Sequence, residues 1–249
     1  MRLAPLLLAA VCAAVYAGEI PLAERRSGYE FMGPQTRAMQ DDEATSPALF
    51  WLMDGETLWN GGRASCASCH GDARESMKGV ATRYPRVVGG KLVNLEQRIN
   101  ACRVERQKAV PYPYESKELL ALTAYVGRQS RGLPIALEAD AATQRYIDAG
   151  RERFERPQGQ LNLACAQCHD DNWGKSLAGT PVPQAHPTGY PLYRLEWQSL
   201  GSLERRLRNC MIGVRAEPYA YGAPEMVELE LYLMWRARGM KLETPAVRP

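Results

Sequence analysis

Two pentapeptides hold the residues most able to do chemistry: "CASCH" at 66–70 and "CAQCH" at 165–169. Each sets two thiols one helical turn apart and follows the second with a histidine. That arrangement anchors a haem through thioethers, at Cys66 and Cys69 and at Cys165 and Cys168, and offers His70 or His169 to its iron. A disulfide, a thioredoxin-type redox pair or half of a zinc site would draw on the same thiols. Two copies in a chain with only 3 histidines favour two covalently attached haems c.

The chain has 7 cysteines, of which the pentapeptides take four. Residues 1–18, "MRLAPLLLAAVCAAVYAG", open on a basic Arg2, run apolar from Leu3 to about Ala14 and close on small residues, the layout of a secretory signal peptide. Cys12 leaves with such a signal; the competing reading lipidates it. The run is too short and too early for a membrane span, so a soluble, exported protein of about 230 residues with no membrane span is expected. A formal charge of +3 gives no hint of nucleic-acid binding. Cys102 and Cys210 remain without an evident job.

The sequence around the pentapeptides is duplicated, which sets the elements that must position them. Gly55 and Trp59 precede the first, Gly150 and Phe154 the second. Tyr84-Pro85 and Tyr190-Pro191 follow, then "NLEQRINAC" (94–102) and "SLERRLRNC" (202–210), then "PYPY" (111–114) and "PYAY" (218–221). Each half closes on an apolar run, 117–132 and 224–239. The second run alternates enough to pass for a strand, but its length and flanks favour helix. The expected fold is all-α: two tandem cytochrome c-like domains, 48–132 and 141–249, each with one haem c, joined by a linker at 133–140 that Pro134 separates from the first closing helix. Residues 19–47 belong to neither repeat and are expected to wrap the first domain or to meet a partner.

Asn94 and Ser202 stand at matching places and are good N-caps for the helices after them. At ~100° per residue, Leu203, Leu207 and Cys210 share a face with Arg206 beside it, while Arg205 and Arg208 point elsewhere. Leu95, Ile99 and Cys102 do the same with Arg98. Each helix thus aims a thiol and a guanidinium at one buried region, where the haem is the natural occupant and Cys102 and Cys210 its second iron ligands. Three alternatives stay open: a Cys102–Cys210 disulfide, Met211 as the ligand in place of Cys210, and arginines that pair with haem propionates. The longer Gly/Pro loop at 174–191 and the nearby Arg208 and Arg215 distinguish the surroundings of Cys210 from those of Cys102.

The two CxxCH motifs, the four-residue step from Arg206 to Cys210 in "RLRNCM", and the paired "NAC" and "RNC" cysteines resemble the SoxA family, the A subunit of the Sox cytochrome complex of periplasmic thiosulfate oxidation. The resemblance spans nearly the whole chain after the signal. It implies an L-cysteine S-thiosulfotransferase subunit that pairs with a monohaem cytochrome c (SoxX-like) and oxidatively joins thiosulfate to a cysteine of a sulfur-carrier protein (SoxYZ-like). Carried across, Cys210 is the distal ligand of the second haem and the catalytic thiolate, held as a persulfide; Arg206 holds the anionic substrate; Cys102 ligates a first, non-catalytic haem. Copper, present in some such complexes, has no evident ligand set here. Rival readings are a thiosulfate dehydrogenase that makes tetrathionate, a plain dihaem electron-transfer protein, and a dihaem peroxidase, which the two spare cysteines disfavour.

Overall fold

The glycine of each Gly-x-x-x-aromatic motif lies where the helix entering a CxxCH is crossed by the closing helix of its own half. The computed structural model describes residues 19–62 and 64–249; the expected signal peptide, with Cys12, lies outside them. The chain runs through α1 (Pro34–Asp41), α2 (Leu49–Asn60), α3 (Cys66–His70), α4 (Ala73–Ser76), the hairpin β1 (Arg86–Val88) and β2 (Lys91–Val93), α5 (Leu95–Glu105) and α6 (Lys117–Arg128). The second half follows a closely similar order: α7 (Gln144–Glu155), α8 (Cys165–His169), β3 (Ser176–Leu177), β4 (Thr180–Pro181), β5 (Leu192–Arg194), β6 (Ser199–Gly201), α9 (Leu203–Gly213) and α10 (Pro224–Arg236), with β7 (Val247–Arg248) added at the end.

A Cβ at Gly55 would strike the Ala121 carbonyl and come within 2.6 Å of Tyr125 Cβ; at Gly150 it would strike the Glu228 carbonyl and come within 2.7 Å of Tyr232 Cβ. Only glycine lets the α2–α6 and α7–α10 backbones approach this closely. The aromatic residue one turn later fills the space below the crossing. Trp59 lies 6.2 Å from Tyr125, and Phe154 lies 5.5 Å from Tyr232. The Tyr84-Pro85 and Tyr190-Pro191 peptides are both cis.

The second closing run is helical over Pro224–Arg236, with proline in its first turn, where no backbone donor is lost. In α6 every residue from Leu119 to Gly127 is buried. One side of it faces α2, and the other carries Leu120 and Ala124 into a small cluster with Tyr193, Leu200 and Val247. Short strands add to the expected helices. Gly89 and Gly90, with φ of 56° and 81°, supply the left-handed turn between β1 and β2, and β5 pairs with β6 antiparallel and with β7 in parallel.

One core runs through both halves, from Trp59 and Leu122 to Phe154, Leu229 and Leu233, and the connection between them is part of it: Ile135 and Leu137 are buried there. Backbone bonds tie Ile135 to Met240 and Gly239, and Leu133 to Leu242. Residues 19–47 do not wrap the first half: they lie mostly on the second. Arg26 N donates to Gln184 Oε1 at 2.6 Å, Ser27 Oγ to Glu243 at 2.5 Å, and Gln40 Oε1 accepts from Val247 N at 3.1 Å. The pairing of Arg128 with Glu43 is a link back to the first half. No helix among the described residues is long and apolar enough to cross a membrane.

Candidate functional site

The CxxCH of each half is framed by the same parts. Asn94 Oδ1 accepts from Gln97 N at 2.9 Å and caps α5; Ser202 Oγ accepts from Arg205 N at 3.1 Å and caps α9. These caps fix the starts of the two helices that carry Cys102 and Cys210. In the first half Cys66 and Tyr84 both feel Cys102, and Tyr84 also feels Arg98: burial pushes the Cys66 thiol and the Tyr84 phenol up, Cys102 adds to both, and Arg98 opposes the rise at Tyr84. In the second half burial pushes the Cys165 thiol up to about 11 with Cys210 next in effect. Burial likewise raises Tyr190, with Arg206 opposing and Cys210 reinforcing. Cys102 thus acts on Cys66 and Arg98 on Tyr84 in the first half, while Cys210 acts on Cys165 and lines one cavity with Arg206 and His169 in the second.

An open cavity of about 1070 Å³, counted out to the solvent at its mouth, is lined by His169, Tyr190, Arg206, Leu207 and Cys210. Leu192, Leu203 and Leu233 give it apolar walls. His169 Nδ1 lies 2.6 Å from the Pro183 carbonyl, so Nδ1–H donates to that carbonyl and Nε2 is left to bind a metal. Burial lowers the His169 pKa, and Arg206 and Arg236 lower it further against the pull of the Pro183 bond, which keeps the ring in its neutral, ligating form. Phe154 stacks on it at 6.4 Å. A haem suits this donor set: a preset imidazole with two thiols one and four residues before it in sequence, a further thiol, Cys210, on the cavity, and an apolar lining. The first site is more open. His70 is exposed and rests 5.8 Å from Trp59, whose Nε1 donates to the Gly71 carbonyl at 3.1 Å.

The alternatives for the spare residues separate here. All six described cysteines are unbridged, and Cys102 and Cys210 lie in different halves against different pentapeptides. Met211 is 4% exposed within the core and does not line the cavity, whereas Cys210 does. His186 also borders the cavity, but its Nδ1 faces the Arg26 carbonyl at 3.0 Å; burial lowers its pKa to about 4, so it fastens the N-terminal segment as a neutral ring.

The arginines divide as the helical wheel requires. Arg205 stacks over Trp197 at 4.2 Å, and Arg208 donates to the Tyr219 carbonyl and covers the Tyr221 ring at 4.6 Å. Arg208 and Arg215 are thus not the extra cations of the cavity. That place belongs to Arg194 and Arg248, which sequence reasoning missed. Burial, then Arg206, lowers the pKa of Arg194. It sits in β5 opposite Ser199, where the hairpin of the first half has Val88 opposite Lys91. A charge in one copy where the other has valine was the available signal. Arg248 is bound to Gln40 and Glu243, so much of its charge is spent.

The profile of the SoxA/TsdA cytochrome c domain matches residues 54–135 and 149–242, one stretch in each half. A protein of Pseudaminobacter salicylatoxidans described as L-cysteine S-thiosulfotransferase subunit SoxA is 37% identical over 92% of this chain and 82% of its own length. The subunit of the same description from Rhodovulum sulfidophilum is 34% identical over 90% and 80%. The crystal structure of SoxXA from P. pantotrophus superposes with a TM-score of 0.88 at 31% identity, covering 90% of this chain and 87% of that one. With its duplicated cytochrome c fold and its covalent haem c chemistry, the chain belongs to the SoxA family.

Proposed function

We propose that this chain is the catalytic subunit of a periplasmic L-cysteine S-thiosulfotransferase, paired with a SoxX-like monohaem cytochrome c. It holds two haems c in two domains, 48–132 and 141–249, through Cys66, Cys69 and His70 and through Cys165, Cys168 and His169. Cys102 and Cys210 would each supply a further ligand to the haem of their own half. The reaction joins the outer sulfur of thiosulfate to the cysteine sulfur of a SoxYZ-like carrier: one S–S bond forms, one S–H bond breaks, a proton is released, and two electrons pass to cytochrome c. The single observation that carries this reading is that Cys210 and Arg206, one helical turn apart, line the same cavity as His169.

Each residue has a definable task. Arg206 presents a planar cation that cannot lose its charge to an anion entering the cavity, and Arg194, paired with Glu196 at 2.9 Å, borders the same cavity. The Pro183 carbonyl and Phe154 hold the His169 ring in one orientation. Cys210 is the active-site thiol beside which thiosulfate and the carrier cysteine are joined, and it is held as a persulfide. The haem, when bound, supplies acceptance of electrons one at a time. Tyr190 and the leucines keep bulk water from that face.

The test compares Cys210→Met with Cys102→Met in the haem-loaded complex, with thiosulfate, a carrier protein and cytochrome c. Loss of carrier conjugation in the first variant and retention of most of it in the second support the assignment. Equal loss in both overturns the division between the halves. Tetrathionate formed without any carrier would instead make the protein a thiosulfate dehydrogenase. Mass analysis should find two haems on the chain and one extra sulfur on part of the Cys210 peptide.

A further inference from the structure

The two histidine sides differ more than the two cysteine sides do. Behind His169 lies Arg236, whose side chain is only 6% exposed and whose Nη2 lies 2.5 Å from Asp170 Oδ1. Nη1 reaches Asp170 Oδ2 at 3.5 Å, so the pair is two-pronged. Nη2 also donates to the Gln184 carbonyl at 3.4 Å, and the guanidinium covers Phe154 at 4.6 Å. Arg236 therefore touches the residue after His169, the ring stacked on His169, and the residue after Pro183.

That last contact reaches the loop whose carbonyl sets the imidazole. The same loop is held from outside: Gln184, fully buried, accepts from Arg26 N at 2.6 Å and donates to the Glu24 carbonyl at 3.3 Å. His186 is fastened to the Arg26 carbonyl. In the first half none of this is built. With Tyr125 matched to Tyr232 and the pentapeptides aligned, Gln129 and Gly71 take the places of Arg236 and Asp170. Gln129 Nε2 only donates to the Tyr125 carbonyl at 2.9 Å within its own helix.

We infer that Arg236 is a positioning residue of the second site alone: paired with Asp170, it locks the 182–186 loop that orients His169 and fixes the electrostatic field on the histidine side of the haem. The inference rests on the reading that His169 ligates a haem. Asp170 follows His169 directly and brings a negative charge, which Arg236 offsets. Removing the cation leaves an uncompensated anion beside the imidazole, which favours the oxidised iron; removing the anion leaves an uncompensated cation, which favours the reduced iron. One unpaired charge at this range in a partly buried site shifts the reduction equilibrium by on the order of tenfold, about 59 mV for one electron.

The test is a spectroelectrochemical titration of the haem-loaded complex, accompanied by low-temperature electron paramagnetic resonance. The unaltered protein comes first. Absence of haem on the 165–169 peptide there overturns the underlying reading rather than this inference. Given both haems, Arg236→Gln should lower the potential of the second haem and leave the first in place, Asp170→Asn should raise it, and Arg236→Lys should recover most of the original value. The resonance signal of the second haem alone should change shape in Arg236→Gln as the imidazole loses its fixed orientation. If Arg236→Gln does not load haem, the opposed pair of Asp170→Asn and Arg236→Lys carries the test. Shifts of the same sign in Arg236→Gln and Asp170→Asn, equal shifts at both haems, or no shift in any variant overturn the inference.

Discussion

Glu204→Gln should make the protein less sensitive to alkali. Glu204 opens α9, is 1% exposed and is hydrogen-bonded on both oxygens, from Gly222 N at 2.7 Å and from Asn94 Nδ2 at 3.2 Å. Glu96, its counterpart on α5, is 7% exposed; Glu230 of α10 accepts from the same Asn94 amide at 3.1 Å; and Glu115 accepts from Ser202 N. Tyr114 and Arg208 complete the surroundings, Arg208 being turned to Tyr219 and Tyr221. Burial pushes Glu204 up to about 8 and Glu96 to about 7, and it raises Glu230 and Glu115 as well. The folded state therefore keeps protons that the unfolded chain gives up near pH 4.5. Stability is fully present below that pH and is lost as the pH rises through the folded values. For Glu204 alone, a rise from 4.5 to about 8 is worth on the order of 5 kcal/mol as a ceiling. Glutamine keeps an oxygen for Gly222 N and never ionises. Denaturant unfolding of the haem-loaded protein at about pH 5 and about pH 9 should show near-equal stability at the lower pH and a variant more stable by several kcal/mol at the higher. Parallel pH curves for the two proteins would refute the idea that this seam holds protonated acids.

Two further outcomes follow from the geometry. Gly150→Ala forces a Cβ against the Glu228 carbonyl, so the α7–α10 crossing should open at a cost of about 3 kcal/mol, read as a lower melting temperature. Arg206→Gln should raise the KM for thiosulfate about tenfold or more while haem content stays constant, and raising the salt concentration should weaken thiosulfate binding in the unaltered protein; an unchanged KM would assign Arg206 to a haem propionate.

Local signals in the sequence carried the parts of this fold that repeat. The pentapeptides, the Gly-x-x-x-aromatic step, the caps Asn94 and Ser202 and the helix faces of Cys102 and Cys210 all act within a few residues of themselves. Three features escaped because their partners are distant in sequence. Arg26 meets Gln184, Gln40 meets Arg248, and Asp170 meets Arg236, and no periodicity marks any of those pairs. The placement of 19–47 was missed for the same reason: Pro21 and Pro34 announce irregular chain but not the surface on which it lies. The hairpins were missed because three-residue strands are too short to alternate visibly, although Gly89-Gly90 was a legible turn. Arg194 required comparing the copies position by position, since its only mark is that Val88 stands in its place.

The duplication also limits what the thiols can explain. Cys102 and Cys210 lie on equivalent capped helices, each with an arginine four residues earlier, so a thiolate and a guanidinium one turn apart do not by themselves separate the halves. The differences lie elsewhere. At the cysteine side of the second cavity Arg194 stands where the first copy has Val88. On the histidine side, Pro183, Asp170, Arg236 and the segment at 24–26 enclose His169, while His70 is exposed beside Trp59. His169 is a half-buried, oriented imidazole on a cavity that also carries Arg206 and Arg194, whereas His70 is exposed. On the function proposed above, the difference between the two halves is set by the non-repeating parts of the chain: the N-terminal segment, the loop at 174–191 and the C-terminal strand, all of which meet on the second half.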